Sequence, residues 1–132
     1  MRLRRVVLVG LVAALLVGAL APGVPAARAK GKTHKVGAEG SFPRFSFEPP
    51  DIEIATGDKV VWTNNTSAEH HVMPYGGPWD GAEPLHLDAD GGKSSFVFKK
   101  PGEYLYYCDL TFHGQLLPGD LCAGQCGSIT VN

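Results

Sequence analysis

Residues 102–132 read GEYLYYCDLTFHGQLLPGDLCAGQCGSITVN. The stretch opens on an aromatic run and closes on Ser128-Ile129-Thr130-Val131, and both read as β-strands. Side chains on a strand alternate between its two faces. In Tyr104-Leu105-Tyr106-Tyr107-Cys108, one face therefore carries Tyr104, Tyr106 and Cys108. Two aromatic rings pack inward and deliver a thiol to the strand's end. His113 follows five residues later. The stretch contains all three cysteines of the chain and no methionine.

Upstream, the same grammar repeats. Phe45-Ser46-Phe47, Asp51 to Ile54, Lys59 to Thr63, a short piece at His70 to Met73, and Ser94 to Phe98 all read as strands. Between them lie turn signals: Pro49-Pro50, Thr56-Gly57-Asp58, Asn64 to Ser67 and Lys100-Pro101-Gly102. Residues 30–41 read as a flexible polar lead-in, and Pro74 to Gly92 as an acidic loop. No segment has a helical period. Short strands at this spacing predict an all-β sandwich or barrel.

The chain has 132 residues. Arg2, Arg4 and Arg5 precede an uncharged apolar run from Val6 to Ala21, and Ala27-Arg28-Ala29 fits a small-x-small cleavage site. Residues 1–29 therefore read as a cleavable signal peptide. The apolar run is short against the about 20 residues of a membrane span. An uncleaved N-terminal anchor is the alternative. The expected organisation is 1–29 signal peptide, 30–41 lead-in and 42–132 one domain. Localisation is expected to be exported, periplasmic or extracellular, without stable membrane insertion after cleavage. Without the leader, eight Lys and Arg stand against 13 Asp and Glu, a formal charge of −5. That balance argues against nucleic acid as a partner and suits steering toward a basic protein surface.

A thiolate with imidazole suits copper or zinc, but Cys108 and His113 alone also fit a buried free cysteine beside a surface histidine. His70 adds weight. It shares a face with Val72, so if Val72 points into the core His70 points inward too. His71 turns to the opposite face. A distant histidine with a C-terminal Cys and His is the donor set of a trigonal copper site. His34 and His86 read as solvated surface residues.

Several blocks in order carry a resemblance: Ile52-x-Ile54-x-x-Gly57-Asp58-x-Val60-x-Trp62-x-Asn64, His70-x-Val72, Gly102-x-Tyr104-x-Tyr106-Tyr107-Cys108 and Gly127 to Asn132. With these the sequence resembles the small blue copper proteins, the cupredoxins, particularly the plastocyanin/amicyanin branch, from about Phe42 to Asn132. The resemblance implies a Greek-key β-sandwich with one type 1 copper held by His70, Cys108 and His113. It implies a monomeric one-electron carrier and no enzyme. A redox protein partner would dock near His113, on Leu110, Phe112, Leu116, Leu117 and Pro118. A fold-back of those leucines over the loop is the competing reading. Copper delivery, or a small copper redox enzyme with an open coordination position, are the alternative functions.

The sequence departs from that family in two ways. The family's weak axial methionine is missing. Met1 lies in the leader, and Met73 has the opposite strand parity from His70. Laying Gly127-x-Ile129-x-Val131 over the family's terminal pattern puts Gln125 in that place, as in stellacyanin-type sites, where glutamine binds through its side-chain oxygen. Otherwise Gln125 is a plain loop residue. The loop between His113 and Gln125 is also enlarged, and it holds Cys122 and Cys126. These read as a local disulfide, as a pair resembling the dinuclear copper A centre, or as free thiols. The copper A reading lacks its histidine, because position 130 is threonine.

Overall fold

A computed structural model describes residues 29–132. The signal-peptide reading falls almost wholly outside these residues. Eleven strands form: β1 (Thr33–Ser41), β2 (Arg44–Glu48), β3 (Asp51–Ile54), β4 (Lys59–Asn64), β5 (His70–Gly76), β6 (Leu85–Leu87), β7 (Lys93–Val97), β8 (Gly102–Tyr107), β9 (Gly114–Leu117), β10 (Leu121–Gly124) and β11 (Cys126–Val131). No helix occurs among the described residues. One sheet has the order β2-β1-β4-β7, and a second has the order β3-β11-β8-β5-β6. The β9–β10 hairpin forms a separate two-stranded ribbon. The two larger sheets face each other as the Greek-key sandwich expected from the sequence.

Alternation fills the space between the sheets. Val60, Trp62 and Asn64 point inward from β4, and Tyr104 and Tyr106 from β8. Ile129 and Val131 do so from β11. Aromatic rings dominate this core. Tyr106 lies 5.0 Å from Phe47 and 5.6 Å from Trp62 between ring centroids. Both contacts are edge-to-face, the arrangement that adds about 0.5–1.5 kcal/mol beyond area burial. Trp79, from the Pro- and Gly-rich segment read as loop, also joins the core and donates its indole N–H to Leu105 O at 3.1 Å.

Residues 30–41 are not a loose lead-in. Thr33–Ser41 is the nine-residue strand β1, paired in parallel with β4 and antiparallel with β2. Val36 and Ala38 are its buried side chains. His34, expected in solvent, places Nε2 2.8 Å from Asp58 Oδ2. Asp58 also accepts the backbone N–H groups of Lys32 (2.7 Å) and Ala55 (3.1 Å). The His34 hydrogen bond, then those two N–H groups, hold the Asp58 carboxyl below its ordinary value of 3.8. A carboxyl depressed on folding stabilises the fold fully above the unfolded value. That stabilisation fades as pH falls below 3.8. Asp58→Asn is therefore expected to flatten the acid limb of a stability-versus-pH curve, followed by circular dichroism.

Candidate metal centre

The site lies at the end of the sandwich where β5 begins and β8 stops. His70 opens β5 and is fully buried, on the same face as Val72. Cys108 follows β8 on the face of Tyr104 and Tyr106 and is fully buried. It is the free cysteine among the described residues. His113 sits half-buried in the turn that precedes β9. His70 Nδ1 and His113 Nδ1 are 3.1 Å apart. Cys108 Sγ lies 3.4 Å from His113 Nδ1 and 3.8 Å from His70 Nδ1. These three residues could hold a metal ion.

Gln125, just before β11, lies beside His70. It is fully buried, and its Oε1 lies 2.8 Å from His70 Nδ1. Its Nε2 donates to Ser46 O at 3.3 Å. Its backbone stitches the site together: Cys108 N–H donates to Gln125 O (3.0 Å), and Gln125 N–H donates to His113 O (2.8 Å). The chains cross closely here. Gly124 has φ +85°, and a Cβ on it would strike His113 O. A Cβ on Gly114 would come within 2.8 Å of both Cys108 O and Gln125 O.

The enlarged loop is the β9–β10 hairpin, and Cys122 and Cys126 are joined in a disulfide. The disulfide reading thus holds. The copper A resemblance falls, because paired sulfurs offer no thiolates. Met73 lies opposite Tyr107 on the face of β5 turned away from His70.

Three features around the donors were not singled out in the sequence. Thr66 Oγ1 lies 2.8 Å from His70 Nε2. It also lies 2.9 Å from Asn64 Oδ1 and 3.1 Å from Ala68 O, both acceptors for its own proton. Thr66 can therefore accept Nε2–H, leaving the Nδ1 lone pair aimed at the cluster. Phe45 covers both imidazoles, with ring centroids 4.8 Å from His70 and 4.4 Å from His113. The backbone N–H of His71 donates to Cys108 Sγ at 3.3 Å. In the sequence, Phe45-Ser46-Phe47 reads only as a strand. Only the third dimension shows that Phe45 reaches the site.

Burial, then the neighbouring His113, pushes the His70 imidazole down. Burial, then His71, lowers His113. Both rings are therefore neutral donors at pH 7. Burial pushes the Cys108 thiol up, against the N–H groups of His71 and Leu110, which lower it. Two imidazole lone pairs and a sulfur thus converge in a largely buried pocket, with Gln125 Oε1 beside His70 Nδ1. Buried acceptors need a partner, and a cation held by His70, Cys108 and His113 would serve as one. Three donors spread evenly around one ion, about 2.0 Å away for nitrogen and 2.3 Å for sulfur, would stand about 3.5 Å apart between nitrogens and about 3.8 Å from sulfur to nitrogen. The observed 3.8 Å between Cys108 Sγ and His70 Nδ1 matches this spacing, and the 3.1 and 3.4 Å separations are tighter than it, so the donors would spread slightly around an ion. Thiolate and imidazole suit copper or zinc, and one thiolate with two imidazoles is the donor set of trigonal copper sites.

A Greek-key sandwich with a His-Cys-His cluster at one end is the architecture of a cupredoxin-type copper protein. Residues 33–122 match the family model described as copper binding proteins, plastocyanin/azurin family. The chain belongs to that family. It is 34% identical over 127 residues to a plastocyanin of Synechococcus sp., covering 89% of this chain and 87% of that one. The solved purple cupredoxin from Nitrosopumilus maritimus shares the fold, with a TM-score of 0.55 and 24% identity. That match covers 74% of this chain and 98% of that one. A variant amicyanin in its Cu(I) form superposes with a TM-score of 0.53 at 21% identity, covering 77% of this chain and 82% of the other. The family match includes His70, Cys108 and His113 and stops short of Gln125.

Proposed function

We propose that this protein is an exported one-electron carrier whose single copper is held by His70, Cys108 and His113, with Gln125 as a weak axial donor. The convergence of the three strong donors to within 3.8 Å carries the reading. Bound copper supplies a one-electron Cu(II)/Cu(I) couple, and the chain's own residues do the rest. Thr66 holds the His70 tautomer, and the His71 N–H group stabilises the Cys108 sulfur as thiolate. Phe45 keeps water from both rings. The β-sandwich and the Cys122–Cys126 bridge fix the donors, so that little has to move when the charge changes.

The apolar surface near His113 supports docking of a redox partner there. Phe112 is 79% exposed, Leu116 and Leu117 are each 38% exposed, and Leu110 packs against the core. Electrons would pass through His113, the least buried donor. The leader supports export, and the acidic Asp80, Glu83, Asp88 and Asp90 support steering toward a basic partner.

Adding Cu(II) to the purified protein tests the assignment. An intense visible thiolate-to-copper band is expected at one equivalent. A colourless protein that binds zinc as well as copper would overturn it. Thr66→Val removes the acceptor for His70 Nε2–H. It is expected to lower copper affinity about 10–100-fold, read by competition with a chelator, with the visible band retained at saturation.

A further inference from the structure

A second cluster lies on the other face of β5. His71 and His86 are directly opposed in the β5–β6 register, and their rings are 4.4 Å apart, edge to face. Glu69, just before β5, reaches up between them. Its Oε1 is 3.3 Å from His71 Nε2 and 3.9 Å from His86 Nδ1. One donor atom from each of the three lies within 4.8 Å of the others. His71 is mostly buried, whereas His86 and Glu69 are exposed, so the cluster is open to solvent on one side.

A further contact points to a ligand rather than to a chance surface group. His71 Nδ1 is 2.7 Å from Asp109 Oδ1. A carboxylate on the far nitrogen of a histidine is the usual support of a metal-bound imidazole, because it fixes the tautomer and raises ligand basicity. In the neutral tautomer that donates Nδ1–H to Asp109, His71 Nε2 would present a lone pair to the Glu69 carboxylate. Two acceptors then face each other with His86 alongside, and a cation between them satisfies all three.

We propose that Glu69, His71 and His86, supported by Asp109, form a second metal site that binds a zinc-class divalent cation. Two imidazoles and one carboxylate are a zinc donor set that leaves the fourth position open to water. The site is separate from the copper donors. His70 and His71 are adjacent in sequence, but strand alternation sends one ring into the sandwich and the other to the opposite face of β5.

Zinc titrated into the copper-loaded protein, followed by calorimetry together with the visible band, tests this. One zinc per chain is expected with the band unchanged. His86→Ala and Glu69→Gln are each expected to weaken zinc binding at least 10-fold and to leave the band intact. Asp109→Asn is expected to weaken zinc about 10–100-fold. Cys108→Ser protein should still take up this zinc, so failure of the copper assignment and failure of the zinc site give different results. No zinc uptake at millimolar concentration would overturn the site. So would uptake that both His86→Ala and Glu69→Gln leave unchanged, or uptake that only accompanies bleaching of the band.

Discussion

Cys108→Ser protein is expected to lose the visible charge-transfer band completely and to bind Cu(II) at least about 100-fold more weakly. That lower bound takes the upper end of what losing a mere supporting residue costs a metal site. A serine hydroxyl fills nearly the same space and can still accept the His71 N–H group. It is a hard oxygen that stays protonated, whereas the metal requires a soft thiolate. The fold should tolerate the change. Cys108 adds one sulfur to a core built on Trp62, Tyr106, Phe47 and Phe98. Urea denaturation of the metal-free protein should show a loss of roughly 1 kcal/mol, the scale of one altered hydrogen bond. A serine variant that kept the band would place the copper elsewhere in the chain. A variant that failed to fold would show a flattened circular dichroism spectrum. Cys108→Ala, which places no polar atom in the pocket, would then give the spectroscopic answer.

Most of the site was legible because it rides on strand alternation. Tyr104, Tyr106 and Cys108 share a face, as do His70 and Val72, and all five are buried. What escaped depends on contacts distant in sequence. In Thr33–Ser41 only Val36 and Ala38 are buried hydrophobics, among Lys, His, Glu and Gly, so little apolar alternation announces the strand. Its order comes from a parallel neighbour about 25 residues away. Trp79 sits among prolines and glycines, yet its ring stacks on Trp62 at 6.3 Å. Thr66 reads as one more polar loop residue until Asn64 is seen to hold that loop. The Asn64 amide lies 2.6 Å from Ala68 O, 3.1 Å from Leu87 O and 2.9 Å from Asp88 O. The β9–β10 hairpin exposes most of both faces, so it carries no amphipathic signature. His86 lies 15 residues beyond His71, and only the β5–β6 register brings the two together.

Gln125→Met is expected to raise the copper reduction potential by at least about 60 mV. An amide oxygen is a harder donor than a thioether, so glutamine favours Cu(II) and methionine favours Cu(I). For a one-electron couple, each tenfold shift in relative affinity corresponds to about 59 mV. A tenfold shift is the smallest that assigns Gln125 a coordinating role. The position suits the exchange. Gln125 is fully buried, its Oε1 is aimed at His70 Nδ1, and methionine has nearly the same length and an unbranched, adaptable stem. The exchange also removes the bond from Gln125 Nε2 to Ser46 O. A cost of roughly 1–3 kcal/mol in stability should accompany the change if that carbonyl is left without a partner. Potential and stability therefore separate the two roles open to this glutamine. A higher potential with an altered visible spectrum identifies a ligand. Loss of stability with spectrum and potential unchanged identifies a residue that only braces β2 against the site. In that case the copper is held by His70, Cys108 and His113 without a side-chain donor on the fourth side.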